Sequence, residues 1–271
     1  MDIGDGLQKG KHFVYRGPLK RLVRWAGLEV RLARIYTGLL RRTSANTVTY
    51  SLSGRSASFY RTEHLPEELP ERPVVEDLLG SLRSDDVFFD LGANHGIYTC
   101  LAGTRLDSGR VVSFEPNPET FAELRANVAL NDLTDCVTLY QAAVADEPGT
   151  ADFFADTDST GSSLAQSRHG PGTQAIQVDV VALDSLADNE SLPTPDVVKI
   201  DVEGAELRAL RGMRSLLEDG CRLLYCEVHD SAVTDFSADP VDVERFLSEA
   251  GFDVRTIFER EADQHILKAT Q

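Results

Sequence analysis

Short apolar runs alternate with amphipathic stretches along most of the chain, and this alternation predicts its secondary structure. A short apolar run between polar or glycine-containing residues is typical of a buried strand, whereas apolar residues three or four positions apart are typical of a helix. Predicted strands cover 86–91, 110–115, 136–142, 196–201, 222–228, 252–258 and 264–269, and predicted helices cover 97–105, 118–130, 205–218 and 240–250. This order predicts an α/β fold with a seven-stranded, mostly parallel, doubly wound sheet that closes with a C-terminal antiparallel hairpin.

The first 70 residues follow a different pattern from the rest of the chain. Apolar residues recur at helical spacing over 17–42 with arginines on the opposite side, and 47–59 alternates around a Ser-Gly turn like a hairpin. A proline-rich connector and a short helix over 74–82 follow. We therefore place a domain boundary near residue 70, between a basic extension (1–70) and a larger domain (71–271).

Residues 150–183 interrupt the alternation of strands and helices. Two predicted strands, 151–155 and 176–182, flank a polar segment that contains Gly161-Ser162-Ser163. This pattern predicts an insertion over the carboxyl edge of the sheet, where it could form part of a substrate pocket.

The net charge of −17 is large and unevenly distributed. The first 62 residues hold 12 Lys/Arg against 3 Asp/Glu, a balance of +9, so the remainder carries −26. An acidic protein with only five lysines in the whole chain is typical of salt-loving microbes. It also argues against a nucleic-acid partner, because nucleic-acid binding usually needs a basic face.

Several features predict a cytoplasmic protein. The N-terminus lacks the apolar core of a secretory signal, and no apolar run is long enough to span a membrane. The four cysteines show no C-x-x-C spacing and fall within apolar patterns, so we expect buried thiols rather than disulfides or metal ligands.

The basic helix predicted over 17–42 has two interpretations. Its apolar face could pack on the larger domain or on a second subunit, which is the interpretation we favour. Alternatively, its arginines could bring the protein to the inner, anionic face of a membrane. High salt weakens the second interpretation, since the Debye length is only about 3 Å at molar ionic strength.

The segment from Asp90 to Gly96 carries the clearest motif, D-x-G-x-x-x-G, between a predicted strand and a predicted helix. Gly92 and Gly96 allow a sharp turn and a close approach of backbone to a ligand. The motif lacks the G-x-G-x-x-G spacing that suits a dinucleotide pyrophosphate, so it favours a ligand with a ribose and no phosphates. S-adenosylmethionine is the common ligand of that kind. Asp90 either contacts this ligand, directly or through water, or only caps the loop.

Glu115 ends the next predicted strand, about twenty residues after the glycine turn. A carboxylate at this distance typically binds both ribose hydroxyls of a nucleoside. The alternative is a surface acid at a strand end. Asn117 or Pro118 is predicted to begin the following helix, and Asn127 and Asn131 are interpreted as helix-end caps rather than ligands.

A second motif, Asp196 to Glu206, delivers acids to the same edge of the sheet. Asp201 and Glu203 could bind an acceptor hydroxyl, act as a base or, together with Glu227, hold a cation. A structural role as helix N-terminal charges is the alternative, and it is the interpretation preferred for Glu206. His229 ends the following strand and could act as a base near neutral pH. His95, inside the glycine turn, is expected to shape the cofactor site.

Taken together, these blocks resemble the FkbM-type S-adenosylmethionine-dependent methyltransferases. The resemblance covers roughly residues 73–258 and is carried by Phe88–Thr99, Ser113–Asn131, Gly161–Leu164, Val178–Leu186, Asp196–Met213 and the strand ending Cys226–Asp230. It implies a class I methyltransferase, Rossmann-like fold. It also implies cofactor contacts at Asp90, Gly92, Asn94, Gly96 and Glu115, and active-site roles for Asp201 and Glu203.

The resemblance implies methyl transfer to oxygen, on a sugar, a glycan or a small-molecule natural product. A base is needed if the acceptor is an alcohol, for which Asp201 or His229 could serve, and none is needed for a sugar carboxylate. No metal is assigned, although a cation that bridges the acids to a vicinal diol is an alternative. The other classes left open are an RNA methyltransferase, a nicotinamide dehydrogenase and a cofactor-binding protein without turnover. The oligomeric state, including a homo-oligomer, also stays open.

Overall fold

The computed structural model describes residues 47–62, 65–69, 71–154, 164, 175–189, 192–236, 238–260 and 264–271. The helix predicted over 17–42 lies outside these residues. The elements in chain order are β1 (Thr47–Leu52), β2 (Arg55–Tyr60), α1 (Arg72–Ser81), β3 (Val87–Leu91), α2 (Ile97–Gly103), β4 (Arg110–Phe114), α3 (Pro118–Leu130), β5 (Val137–Tyr140), β6 (Ala143–Val144), β7 (Gly149–Phe154), β8 (Ala175–Val181), α4 (Leu183–Asn189), β9 (Val197–Ile200), α5 (Glu206–Arg211), α6 (Arg214–Glu218), β10 (Leu223–His229), α7 (Asp230–Asp235), α8 (Pro240–Glu249), β11 (Asp253–Arg260) and β12 (Gln264–Thr270).

A seven-stranded sheet of order β11-β12-β10-β9-β3-β4-β5 forms the centre of the fold. The pairs from β10 to β5 are parallel, whereas β12 runs antiparallel to both β10 and β11. The predicted doubly wound sheet with a C-terminal antiparallel hairpin is therefore confirmed. Since β3, β4, β9 and β10 run in the same direction, the residues that follow them meet at one edge, where open α/β sheets bind ligands.

Apolar side chains from the two faces of the sheet form two separate cores. One core contains Phe88 and Val111 together with residues of α1, α2 and the β1–β2 hairpin, and the other contains Phe89 and Val112 together with residues of α5, α6 and α8. Alternate residues of each strand enter opposite cores, as the pleat of a strand requires. The near-continuous apolar runs in the sequence reflect this burial on both faces.

The β1–β2 hairpin turns at Ser53 and Gly54, both with positive φ, as the Ser-Gly pattern predicts. Its apolar residues share the core that lies under α2 and α3. Asn131 fixes it from α3, since its amide accepts from the backbone N–H of Ser58 and donates to the carbonyl of Ser58, both at 2.8 Å. The hairpin thus packs directly on the larger domain, and the boundary near residue 70 stays a prediction.

Asn127 links the hairpin to the glycine turn. Its side chain accepts from the backbone N–H of Tyr60 at 3.0 Å and donates to the carbonyl of His95 at 2.8 Å. The expectation of a helix-end cap is wrong for Asn127, because it lies inside α3 and bridges two other segments. Asn131 does lie at the C-terminal end of α3, and Asn117 caps its beginning by accepting from the N–H of Glu119 at 3.0 Å.

The single helix predicted over 205–218 is wrong, because two short helices, α5 and α6, occupy this region. Gly212 separates them, and a Cβ at this position would lie 2.1 Å from the carbonyl oxygen of Ala145. The close backbone contact with the segment after β6 interrupts the helix. The carboxylate of Asp184 accepts from the N–H groups of Ser215 and Leu216 and so stabilises the start of α6.

The insertion forms a separate three-stranded sheet of order β6-β8-β7. The strand predicted over 136–142 ends at Tyr140, and the next two-residue strand pairs with β8 instead of continuing in the main sheet. Most of the polar segment between β7 and β8 lies outside the described residues, so its role in a substrate pocket stays a prediction.

The prediction of buried thiols is confirmed for three of the four cysteines. All four thiols are free, with Cys100, Cys221 and Cys226 buried and Cys136 partly buried. Among the described residues, no helix is both long and apolar enough to cross a membrane.

Candidate active site

The glycine turn joins β3 to α2 through residues in the left-handed region. Gly92, Asn94 and Gly96 have φ values of 74°, 51° and 85°. A Cβ at Gly92 would lie 1.8 Å from the carbonyl oxygen of Asp201, so only glycine lets this turn approach the end of β9. The structure thus brings the two sequence motifs together at one point.

Asp90 lies behind this turn and is completely buried. Thr99 donates a hydrogen bond to its Oδ2 at 2.6 Å, and the Nζ of Lys199 lies 3.6 Å from its Oδ1. Burial raises the pKa of Asp90, although Lys199 and Thr99 oppose this rise. These contacts connect Asp90 to α2 and to Lys199 of β9, while its contact with a cofactor stays a prediction.

Glu115 extends from the end of β4 to the glycine turn. The N–H of Asn94 donates to its Oε2 at 3.0 Å, and the N–H of Asn117 donates to its Oε1 at 2.8 Å. The carboxyl group is buried, and this burial raises its pKa to about 7 against the opposing effect of the two amides.

The residues around this turn fit the predicted cofactor. Each oxygen of Glu115 accepts one backbone hydrogen bond and retains a second lone pair, as binding two neighbouring ribose hydroxyls requires. Among the described residues, the Oδ1 of Asp90 has no hydrogen-bond partner. The ammonium of Lys199 lies 3.6 Å from it. The carboxylate of Glu115 therefore offers acceptors for a ribose, while the glycine turn lacks the spacing of a phosphate-binding loop.

Lys199 was not predicted from the sequence, yet it connects the two halves of the site. Its buried ammonium donates to the carbonyl of Gly92 at 3.0 Å and to the Oδ2 of Asp201 at 3.3 Å. Burial alone would lower the pKa of Lys199, but Asp201 and Asp90 outweigh it and raise the pKa. The available signal was a lone charge in the apolar strand β9, whose register pairs Lys199 with Asp90.

The structure also brings together the three residues predicted to be catalytic. The Nε2 of His229 lies 3.4 Å from the Oε2 of Glu203 and 3.9 Å from the Oδ1 of Asp201. Glu227, on the same strand, places its Oε1 3.9 Å from the same nitrogen. Glu203 adopts a φ of 54°, and Gly204 follows with a φ of 102°. This turn lets Glu203 share the edge of the sheet with Asp201.

Charges in this group change its protonation. Burial opposes a charge on His229, but its bond to Glu206 and the charge of Glu203 raise its pKa to about 10. Burial also raises the pKa of Asp201, but Lys199 and His229 outweigh it and hold the pKa below its usual value. Burial beside Asp201 raises the pKa of Glu227 to about 8. With no bound cation or substrate, the imidazole of His229 is therefore positively charged at neutral pH. A charged imidazole has no free lone pair, which does not suit the base role predicted for His229.

Glu206 does more than the predicted stabilisation of a helix N-terminus. Its Oε1 accepts from the N–H of Gly204 at 2.8 Å, which agrees with that prediction. The same oxygen lies 2.9 Å from the Nδ1 of His229, and the whole side chain is buried. Glu206 therefore orients the imidazole ring, a role that the sequence spacing alone did not reveal.

Two further residues near the site, Arg260 and Glu71, were also not predicted from the sequence. Arg260, at the end of β11, is hydrogen-bonded to Glu71 and lies 3.6 Å from the Oε1 of Glu227. Burial raises the pKa of Glu71, which Arg260 opposes. Glu71 precedes α1 and Arg260 lies in the last hairpin, so distant parts of the chain meet beside Glu227. No local sequence pattern links them.

Comparisons with known proteins identify the family of this chain. Residues 90–254, more than half of the chain, match the family described as the methyltransferase FkbM domain. The hexuronic acid methyltransferase AglP of Haloferax volcanii is 31% identical over 180 residues, which cover 66% of this chain and 69% of that protein. The 31-O-demethyl-FK506 methyltransferase FkbM of Streptomyces tacrolimicus is 30% identical over 222 residues, which cover 70% and 81%. The crystal structure of an FkbM methyltransferase from Methylobacillus flagellatus is 17% identical, with a TM-score of 0.49, over 70% of this chain and 45% of that one.

The sheet order and the match to the family model define a class I, Rossmann-like methyltransferase that uses S-adenosylmethionine. Within this class, the chain belongs to the FkbM methyltransferase family. The predicted family, fold class, enzyme class and cofactor are therefore confirmed. The role of each site residue stays a prediction.

Proposed function

We propose that this protein transfers a methyl group to an oxygen atom of a sugar, a glycan or a related hydroxylated small molecule. The observation that carries this proposal is the group of Asp201, Glu203 and His229 at the edge of the sheet, next to the glycine turn. The names of the relatives support it, since one acts on a hexuronic acid and another on a natural product.

S-adenosylmethionine supplies an electrophilic methyl group on a sulfonium, so a carbon–oxygen bond forms at the acceptor while the carbon–sulfur bond breaks. The protein's main task is then to orient the acceptor oxygen, with reacting atoms about 3–3.5 Å apart. Asp201 and Glu203 have side chains that are 28% and 19% exposed, so an acceptor can reach both. The group binds the acceptor hydroxyl through these oxygens and takes up its proton.

Charge distinguishes between two kinds of acceptor oxygen. Asp201 and Glu203 form the exposed part of the group, and their carboxylates would repel an acceptor carboxylate. A neutral hydroxyl avoids this repulsion and can donate to them. We therefore propose methyl ether formation as the main reaction, with a methyl ester as the alternative for a uronic acid.

The test uses S-adenosylmethionine with a tritiated methyl group and two matched acceptors, a methyl glucoside and the corresponding glucuronide. Mild alkali releases the label of a methyl ester as volatile methanol and leaves that of a methyl ether in place. We expect alkali-stable label in both sugars. Alkali-labile label in the glucuronide alone would contradict the charge argument, and no transfer to glycans, lipid-linked sugars or hydroxylated metabolites would contradict the proposed function.

Two rival functions have direct tests. An RNA methyltransferase would retain RNA in a filter-binding assay, which we do not expect from a chain with a net charge of −17. A cofactor-binding protein without turnover would take up S-adenosylmethionine and label no acceptor.

We further propose a cytoplasmic, salt-adapted enzyme whose basic N-terminal segment packs on the protein itself or on a second copy. Deleting residues 1–45 should then lower solubility or change the oligomer size. Loss of flotation with anionic liposomes, with the size unchanged, would instead favour the membrane interpretation. Salt adaptation predicts that stability rises between low and molar salt, because screening reduces the repulsion among surface acids.

A further inference from the structure

Asp201, Glu203 and His229 form a donor set that the methyltransferase fold does not by itself require. One ligand atom from each residue, two carboxylate oxygens and one imidazole nitrogen, lies within 4.8 Å of the others. Carboxylates suit hard divalent cations, and imidazole suits the first-row transition metals. His229 is buried, whereas the two acids are partly exposed, so three protein ligands would leave coordination positions open toward the acceptor.

Glu206 provides an independent observation outside this set. It is completely buried, and its Oε2 has no hydrogen-bond partner in the part of the chain that the structure describes. Its Oε1 holds the Nδ1 of His229 at 2.9 Å, so the Nε2 is directed toward Asp201 and Glu203. Metal-bound histidines nearly always place their second nitrogen on a carboxylate or carbonyl in this way.

The balance of charge also indicates a missing cation. Glu203, Asp201, Glu206 and Glu227 all lie within 3.9 Å of an imidazole nitrogen of His229. Buried carboxylates are costly unless they are paired or coordinate a metal. Lys199 and Arg260 lie beside Asp201 and Glu227, but they also pair with Asp90 and Glu71. The carboxylates therefore still outnumber the cations, and a divalent cation would reduce this excess of negative charge without cancelling it.

We propose that Asp201, Glu203 and His229 bind one divalent cation of the Mn²⁺ type, with Glu206 as the residue that positions His229. The role of this cation rests on the proposed function. An acceptor hydroxyl that enters an open coordination position loses its proton more easily, and a carboxylate oxygen of the group that does not bind the cation takes up this proton. Its oxygen then bonds to the methyl carbon while the carbon–sulfur bond breaks, and the cation holds that oxygen in place.

Binding of Mn²⁺ to the full-length protein, without cofactor or acceptor, tests the site itself. Electron paramagnetic resonance of free Mn²⁺ and calorimetry should give one bound ion per chain. Glu203→Gln should weaken binding at least about ten-fold, and Glu206→Gln should weaken it by about 10- to 100-fold. Glu218→Gln is the matched control, because this exposed acid pairs with Arg214 in α6, away from the sheet edge, and should bind as the parent does.

Circular dichroism checks that each variant is folded, and His229→Gln replaces any variant that is not. If the parent binds Mn²⁺ no more tightly than Glu203→Gln, or if Glu218→Gln weakens binding equally, the proposal is overturned. Methyl transfer separates the two proposals. Undiminished transfer after chelation overturns the metal site alone, whereas tight Mn²⁺ binding without transfer to any sugar or hydroxylated acceptor overturns the proposed function alone.

Discussion

The ammonium of Lys199 donates a hydrogen bond to the carbonyl oxygen of Gly92 at 3.0 Å. This bond joins the glycine turn after β3 to the acidic end of β9. The same ammonium lies 3.3 Å from Asp201 and 3.6 Å from Asp90. One buried cation therefore joins the glycine turn, where we predict the cofactor, to the acidic residues proposed to bind the acceptor.

Replacing Lys199 with Met should lower both stability and cofactor affinity. Removing one partner of a buried ion pair typically costs about 3–5 kcal/mol of the free energy of unfolding, because Asp90 would keep a buried, uncompensated charge. Urea unfolding and calorimetry with S-adenosylhomocysteine measure the two effects. Lys268→Met is the matched control, since Lys268 is also buried but pairs with Asp77, on α1. An equal loss of cofactor affinity in both variants would contradict the linking role of Lys199.

Gly92→Ala should abolish cofactor binding. Its Cβ would lie 1.8 Å from the carbonyl oxygen of Asp201, and its φ of 74° is unfavourable for any residue with a side chain. Gly54→Ala measures the cost of the unfavourable φ without a clash, because Gly54 has a φ of 76° and a Cβ at this position would meet nothing within 4 Å. We expect about 1–2 kcal/mol of destabilisation at Gly54. At Gly92 we expect at least about 1–3 kcal/mol more. Similar thermal shifts for both variants would show that the turn can move away from β9.

Asn127→Ala should weaken cofactor binding from a distance. It removes the bonds to the N–H of Tyr60 and the carbonyl of His95, and each buried group left unpaired costs about 1–3 kcal/mol. Because His95 lies in the glycine turn, the dissociation constant of S-adenosylhomocysteine should rise. Asn131→Ala removes bonds to Ser58 in the hairpin and to the carbonyl of Asn127, but none to His95 in the glycine turn, so it should lower stability with unchanged affinity. Unchanged affinity in Asn127→Ala would rule out this link.

Cofactor affinity should fall as the pH drops through neutrality. The pKa of Glu115 is raised to about 7, so the folded protein without cofactor holds a proton there at lower pH. Ribose hydroxyls donate to the ionised form, so affinity is full above about pH 8 and weakens about ten-fold by pH 6. Calorimetry across this range measures the effect. Glu115→Gln should bind weakly at every pH, and an equally steep pH dependence in that variant would assign the titration to another group.

Much of the fold could be predicted because apolar periodicity determines burial. Residues 110–114 and 118–130 form the expected strand and helix, since their patterns reflect the two-sided core and the N-terminal cap at Asn117. The break at Gly212 could not be predicted, because it results from a contact with Ala145, far away in the sequence. Local patterns thus predict elements, whereas their interruptions depend on tertiary contacts.

The same limit applies to the site. Asp201, Glu203 and His229 could be predicted because each follows or ends a strand at the ligand-binding edge. Lys199 and Glu206 could not, since a charged residue in an apolar strand and an acid in a first helical turn both have common structural explanations. Only the distances to Gly92 and to His229 reveal what these two residues do.

The most direct measurement of the central claim compares cofactor binding and methyl transfer in one preparation of Asp201→Asn. The account predicts that S-adenosylhomocysteine still binds, while the single-turnover rate of transfer to a sugar hydroxyl falls at least about 100-fold, because the acceptor proton is no longer taken up or held in place. Transfer within about three-fold of the parent rate, at equal cofactor occupancy, would contradict the account.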